Sequence, residues 1–319
     1  MLTSFELFQK ELNEALAIID GGDIDDNEIS LRSTANEPVD AESLFERCDT
    51  ICKEYDLNKD IKPPIHIIHH LACSGGSLIS KCLSAMPNVY LLSEVHPHSN
   101  LQHNKNSIVF SPSDIARLAL YSGVPEHNKL ADEIFLNGVI TSYTHIKKYC
   151  GNLILRDHTH SDYFRGDSTT PNSVVKILEK NFTVLSLVTL RNPIDSFISL
   201  RENGWLNFKP NTFEEYCKRT LAFLSFFKDE QIILYEKFVE SPLDEMKVGC
   251  LILDINYNDM FVDLFDIFSV TGDSGRKGNG IKARQRREID SHELNHFYES
   301  ESYKQIIERF PFYKRTMSK

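Results

Sequence analysis

The chain has 319 residues, of which 41% are hydrophobic, so it can bury a sizeable core and is not a disordered protein. Acidic residues outnumber basic ones by 46 to 35, and the net charge of -11 argues against non-specific binding to nucleic acid or an anionic membrane. No run of 18 apolar residues occurs, and the N-terminus lacks the basic and then apolar layout of a signal peptide. We therefore expect a globular cytoplasmic protein with no nucleic-acid partner and no transmembrane segment.

The first 60 residues predict a helical extension. Apolar residues recur at helical spacing over residues 4–20 and stop at a Gly-Gly pair, and a second helix is expected over 41–56. Two prolines, Pro63 and Pro64, then separate this part from the rest. The expected division is therefore a helical extension at 1–60 and the main domain at 61–319.

The main domain alternates strand-like and helix-like segments. Helices are expected after the first strand, from about 111 to 123, over 126–149, after Thr212 and over 291–309. Short apolar strands are predicted at 65–69, 89–92, 152–156, 183–190 and 231–235. Such alternation predicts an α/β fold, with a mainly parallel sheet of about five strands flanked by helices.

A glycine turn follows the first predicted strand. The segment Ser74-Gly75-Gly76-Ser77 leads directly into a helix, and backbone N–H groups at such a junction bind anions with the help of the helix dipole. A tight turn that merely requires small residues is the other interpretation. The Walker A pattern GxxxxGK[ST] does not occur in this segment, which weakens a kinase or ATPase interpretation.

A second cassette joins the fourth predicted strand to a helix. The strand ends at Arg191, Asn-Pro starts the helix, and Ser199 follows eight positions after the arginine. This places a cation and a hydroxyl at the edge of the sheet where phosphorylated ligands bind in open α/β folds.

Together these segments resemble sulfotransferases that use 3′-phosphoadenosine 5′-phosphosulfate (PAPS). The glycine turn is similar to the family's 5′-phosphosulfate loop, and the Arg191 cassette to its 3′-phosphate motif. The resemblance implies a P-loop-like nucleotide-binding fold and transfer of a sulfuryl group from PAPS to a hydroxyl or amine of a small-molecule or glycan acceptor. The product would be 3′-phosphoadenosine 5′-phosphate (PAP). The implied nucleotide contacts are Cys73, Ser74, Gly75, Gly76, Ser77, Leu78, Arg191 and Ser199.

A third segment, 272–287, resembles the late loop that closes over the nucleotide in this family. It holds six cations within twelve positions of an otherwise acidic chain, and such local charge can hold a polyanion. Within it, Arg276, Lys277 and Gly278 are the expected contacts to the 3′-phosphate. A solvated basic loop is the alternative.

The chain departs from the family at Cys73, where an arginine or lysine usually precedes Ser-Gly. That cation offsets charge on the departing phosphosulfate bridge. The late loop is the expected substitute, with Lys81 as a second choice. The departure also keeps open a catalytically degenerate protein that binds PAPS or PAP, and a nucleotide kinase is the third interpretation.

Three residues are candidates for the general base that takes the acceptor's proton. Glu94 follows the second predicted strand, where the tyrosylprotein-like and bacterial branches of the family have a catalytic glutamate. His158 and His160 follow the third predicted strand, near the position of the catalytic histidine in cytosolic sulfotransferases. Glu94 ranks first, His158 second and His160 third. A zinc site at the two histidines is an alternative, but sulfuryl transfer needs no metal and none is expected.

Overall fold

The computed structural model describes residues 62–99, 113–166, 169, 172–271, 280–282 and 287–315. The predicted extension at 1–60 lies outside the described residues, as do Arg276, Lys277 and Gly278. The division at residue 60 and the role of the late loop therefore stay predictions.

The core of the described chain is a sheet of five parallel strands in the order β2-β3-β1-β4-β5, which confirms the predicted α/β class. Each strand lies within a few residues of its predicted position. The strands are β1 (Pro64–His70), β2 (Val89–Val95), β3 (Asn152–Asp157), β4 (Thr183–Leu190) and β5 (Ile232–Leu234).

Helices connect the strands and cover the sheet. Thr212 caps the helix Phe213–Leu224 through a bond from the Glu215 N–H, as its spacing predicted, and Asp114 caps the helix Ile115–Tyr121. Short 3₁₀ turns occupy Asp229–Gln231 and Phe265–Ile267. The helices are α1 (Gly76–Ser84), α2 (Ile115–Tyr121), α3 (His127–Lys147), α4 (His160–Tyr163), α5 (Ser173–Leu178), α6 (Pro193–Glu202), α7 (Phe213–Leu224), α8 (Tyr235–Glu240), α9 (Pro242–Ile252), α10 (Phe261–Leu264), α11 (Ser291–Glu299), α12 (Glu301–Arg309) and α13 (Phe312–Arg315).

Both faces of the sheet are buried, as the unbroken apolar strands require. Along β1, Ile65 and Ile67 point to the face that packs against α3 and α5, whereas Ile68 points to the opposite face with α1 and α9. A third cluster joins α6, α7 and α12 to the ends of β4 and β5. Within the described residues, no helix combines the length and the hydrophobicity needed to cross a membrane.

Two predicted boundaries were wrong. The expected helix over 291–309 is broken at Ser300, whose extended backbone (ψ 122°) ends α11 and whose hydroxyl caps α12. The second strand continues to Val95 rather than ending at Leu92, because β2 pairs with β3 on both sides of an irregularity. Glu94 therefore lies within the strand and not after it.

Candidate functional site

The glycine turn lies at the carboxyl edge of the sheet between β1 and α1. Gly75 has a φ of 87°, which glycine adopts without strain, and a Cβ there would lie 2.1 Å from the Tyr235 ring. A Cβ on Gly76 would lie 2.3 Å from the His70 ring. Both glycines are therefore required by what packs beneath the turn.

The N-terminus of α1 is open to an anion. It has no side-chain cap and no acidic residue in its first turn, and the first N–H groups of a helix have no partner within it. The turn is held in place by the Ser74 hydroxyl, 3.2 Å from that of Thr189 on β4. The side chain of Leu78 lies in the core, and its N–H donates to the Gly75 carbonyl.

The structure brings the Arg191 cassette to this turn. Arg191 Nη1 donates to the Cys73 carbonyl at 3.3 Å, and the Ser196 hydroxyl donates to the same oxygen at 3.4 Å. The guanidinium also lies over the Tyr235 ring, 5.4 Å from its centroid. Cys73, which occupies the position where a cation is expected, therefore contacts the cassette through its backbone carbonyl.

Ser199 lies on the face of α6 that faces the turn. Ser196, Ser199 and Asn203 are spaced three and four residues apart and so share one side of a helix. The flanking members both contact Cys73, Ser196 through the carbonyl and Asn203 through the sulfur at 3.8 Å. Ser199 is 8% exposed, so most of the residue is buried.

A second arginine reaches the turn from β3, and sequence reasoning missed it. Arg156 is 1% exposed, and its Nη2 donates to the Ser77 hydroxyl at 2.9 Å. Its Nε donates to His70 Nε2 at 2.8 Å, and its Nη1 donates to the Ser93 hydroxyl at 2.9 Å and the Thr271 carbonyl at 2.5 Å. Two guanidinium groups thus meet the same turn from different strands.

The strand sequence held a signal for this residue. Arg156 ends the otherwise apolar run Leu153-Ile154-Leu155 in a strand whose two faces are covered. A buried charge is costly unless it is paired and hydrogen-bonded. An arginine at the carboxyl end of a central strand therefore indicates either a dedicated set of partners or an anionic ligand.

Glu94 lies beside Arg156. Its Oε1 is 3.5 Å from Arg156 Nη2, and its φ is 58°. The irregular pairing of β2 between Leu92 and Val95 accounts for this left-handed backbone. The glutamate thus faces the site from the strand edge, with a fifth of its side chain exposed.

His158 and His160 form a second group at the end of β3. Their ring centroids are 3.5 Å apart. Burial and the neighbouring His160 lower the pKa of His158 to about 2, and burial and Arg165 lower the pKa of His160 to about 4. Both rings are therefore neutral at physiological pH, and His158 Nε2 and His160 Nδ1 are buried without a hydrogen-bond partner among the described residues.

No family model matches the chain, and no curated protein matches it. Among solved structures, it is similar to a sulfotransferase domain of the Synechococcus olefin synthase at 18% identity, with a TM-score of 0.39 over 63% of this chain and 77% of that chain. It is also similar to a sulfotransferase domain of the curacin biosynthetic pathway (14% identity, TM-score 0.44, 78% and 98% coverage). A sulfotransferase from Mycobacterium avium gives 12% identity and a TM-score of 0.37 over 83% and 81%.

A cavity of about 760 Å³ opens beside Glu94 and His158. It is lined by Ser93, Glu94, residues 96–99 and Thr271, and by residues of α2 and α3. Arg156 bonds to Ser93 on this side and to Ser77 on the other. One guanidinium therefore separates the cavity from the glycine turn.

Buried hydrogen bonds fix the end of β3. His69 bonds through Nδ1 to Asp157 Oδ2 at 2.9 Å and through Nε2 to the Ser186 hydroxyl at 3.2 Å. The Thr159 hydroxyl donates to the same Asp157 oxygen at 3.0 Å. The strand end that carries Arg156 and His158 is therefore held by its neighbours on β1 and β4.

The remaining candidates are placed as follows. Lys81 lies in the last turn of α1, away from the helix end that faces the site. The described residues contain no group of three or more His, Cys, Asp or Glu side chains arranged to hold a metal ion, so the zinc interpretation of His158 and His160 gains no ligand set. The described chain brings two arginines to the turn, Arg191 at Cys73 and Arg156 at Ser77.

Proposed function

We propose that this protein is a PAPS-dependent sulfotransferase. The observation that carries the proposal is the convergence of Arg191 and Arg156 on one glycine turn that precedes an uncapped helix. PAPS has an anionic group at each end of its ribose, a 3′-phosphate and a 5′-phosphosulfate. A helix N-terminus flanked by two cations is suited to such a ligand.

The residues present fit the two ends of this donor. In the proposal, Arg191 and Ser199 bind the 3′-phosphate, joined by Arg276, Lys277 and Gly278 of the late loop. The N–H groups of Gly76 and Ser77 bind the phosphosulfate with the hydroxyls of Ser74 and Ser77. The positive φ of Cys73 and its carbonyl bonds leave its side chain against α6, so Cys73 itself acts through its backbone.

Arg156 supplies the cation that the sequence lacks at Cys73. It already bonds to Ser77, and a buried guanidinium stays charged in any protein environment. A fixed positive charge beside the departing phosphate stabilises the negative charge that develops there. This removes the main reason to expect a catalytically degenerate binder. The Walker lysine that a nucleotide kinase requires is absent from the turn.

When bound, PAPS supplies an activated sulfuryl group. The acceptor oxygen forms a bond to sulfur while the bond from sulfur to the 5′-phosphate oxygen breaks, giving a sulfate ester and PAP. Glu94 accepts the acceptor's proton, because it combines a cavity position with a carboxylate close to Arg156. His158 stands second, because burial makes its protonated form unfavourable, and His160 third.

Thermal denaturation with PAP tests the donor site. PAP is expected to raise the melting temperature of the wild type, and Arg191→Ala should remove the shift because it deletes a charge-assisted contact. Arg201→Ala is the matched control on the same helix, since that arginine pairs with Glu293 at the surface. Equal shifts in the wild type and Arg191→Ala would contradict the assignment of Arg191 to the donor site.

Sulfuryl transfer itself needs a second measurement. A cell extract incubated with the protein and PAPS should contain molecules that gain one sulfonate, detected by mass spectrometry. The Arg191→Ala protein is the negative control. PAP binding without any such product would leave the degenerate binder as the better description.

A further inference from the structure

We propose that the cavity beside Glu94 holds the acceptor and selects an uncharged hydroxyl compound with an apolar body. The inference rests on the sulfuryl transfer proposed above. It names the class of acceptor, which neither the motifs nor the resemblance indicates. The cavity has a volume of about 760 Å³, which is typical of a site for one small organic molecule.

The position of the cavity makes it the acceptor side of the site. Glu94 and His158, the first two candidates for the base, both line it. Arg156 spans from Ser77 in the glycine turn to Ser93 in the cavity wall. A hydroxyl bound against Glu94 would therefore lie next to the group that contacts the donor loop.

One wall of the cavity, formed by α2 and α3, is partly apolar. Its apolar members are Ala116, Leu120, Ala131, Ile134 and Phe135, and its polar members are Asp114, Arg117, His127 and Asn128. Such a wall stabilises a hydrocarbon surface by removing it from water. The acceptor would thus place its apolar body against the helices and its hydroxyl against the strand ends.

The charges in the lining are already paired. Asp114 Oδ2 lies 3.4 Å from Arg117 Nε, and Glu94 lies 3.5 Å from Arg156. Among the described lining residues, every Asp, Glu and Arg side chain has a partner of opposite charge, and His96 and His98 pair with Asp162 and Asp132. A charged acceptor would have to leave water without a free counter-charge from these Asp, Glu and Arg side chains, which is unfavourable. The lining therefore favours a neutral molecule.

Three phenols with a two-carbon side chain in the para position test the charge preference: neutral 4-ethylphenol, cationic tyramine and anionic 4-hydroxyphenylacetate. We expect kcat/KM with PAPS to be at least about tenfold higher for 4-ethylphenol than for either charged analogue. Saturation-transfer NMR with PAP present should show the same order of binding, which gives a readout that does not depend on turnover.

Two substitutions test the location. Ala131→Phe fills the cavity, and Leu120→Ala removes part of its apolar wall. Each should raise the KM for 4-ethylphenol about tenfold while leaving the PAP-induced shift in melting temperature unchanged. Leu118→Ala is the control on the same helix, because Leu118 is exposed and does not line the cavity. Leu120→Ala keeps the test decisive if the larger residue prevents folding.

Three results would overturn the inference: equal or better transfer to a charged analogue, an unchanged KM in both cavity variants, or no binding of 4-ethylphenol to a protein that PAP stabilises. A protein that PAP does not stabilise would instead contradict the proposed function. The melting experiment thus separates the two failures.

Discussion

The candidate site has two halves along the carboxyl edge of the sheet, one where β1 and β4 end and one where β2 and β3 end. The two halves differ in the atoms that make their contacts. Where β1 and β4 end, the contacts run through the backbone, since Arg191 and Ser196 bond to the Cys73 carbonyl and the turn requires the two glycines. Where β2 and β3 end, they run through buried side chains, with Arg156 bonding to four other residues. A backbone site is sensitive to added atoms, whereas a side-chain site is sensitive to their removal. Substitutions in the two halves should therefore fail in different ways.

The largest effect is expected at the side-chain half. Glu94→Gln keeps the shape of the side chain but cannot accept the acceptor's proton, so kcat should fall about 10²- to 10⁴-fold. The PAP-induced shift in melting temperature should remain. His158→Asn, measured in parallel, should lower kcat by less than about tenfold. The reverse order in steady-state rates would make His158 the base.

Arg156→Met should lower kcat about 100-fold, because it removes the positive charge beside the departing phosphate. The free energy of unfolding should also fall by about 3 kcal/mol, since Glu94 and several buried polar groups lose their partner. Stopped assays at saturating PAPS and urea titrations measure the two effects. Lys81→Met is the control and should leave kcat within about twofold, because Lys81 lies at the other end of α1. A larger loss at Lys81 would refute the role given to Arg156.

The backbone half should respond to one added methyl group. Gly75→Ala is expected to lower the free energy of unfolding by roughly 3 kcal/mol, because a Cβ would overlap Tyr235 and the φ is left-handed. Gly123→Ala has a similar φ of 67° but nothing within 4 Å, so it should cost only about 1 kcal/mol. Urea midpoints at constant slope give both numbers. Similar losses at the two glycines would show that contact with Tyr235 has no energetic role.

The smallest effect at neutral pH is expected away from the edge, at His66 on β1. Burial and Lys147 lower the pKa of His66 to about 4 in the native state, below its ordinary 6.5. The unfolded chain then binds more protons, so stability is lost as pH falls from 6.5 towards 4. His66→Leu has no such titration. Its free energy of unfolding relative to the wild type should therefore be roughly 2 kcal/mol higher at pH 5 than at pH 7.5.

Urea titrations at the two pH values measure that gain. They also separate acid unfolding from any acid loss of activity at the site. A constant difference between His66→Leu and the wild type would mean that His66 takes up its proton equally in both states.

The half of the site built from backbone could be predicted from the sequence because its signals are local. Glycines followed by a helix start, and an arginine before Asn-Pro, specify their own geometry within a few residues. The predicted cassette and turn do meet, through Arg191 and Cys73. The half built from side chains could not be predicted in this way. Arg156 and Ser77 are 79 residues apart, and only the pairing of β3 with β1 brings them together.

The same distinction explains the errors in the elements. The polar residues after Leu92 resemble a loop in the sequence, yet β3 pairs with Val95 and continues the strand that contains Glu94. The break at Ser300 depends on its bond to Glu214, which lies 86 residues earlier in the chain. Such contacts leave no local pattern.

In the proposed reaction, Arg156 also couples the binding of the donor nucleotide to the binding of the acceptor. A guanidinium has five N–H groups, and here they face His70, Ser93, Thr271, Ser77 and Glu94. An anion arriving at the turn can contact this cation directly only by displacing one of those partners, three of which line the proposed acceptor cavity. The affinity for one ligand therefore depends on the presence of the other, and by linkage the dependence is equal in both directions. The two substrates would not bind as independent events.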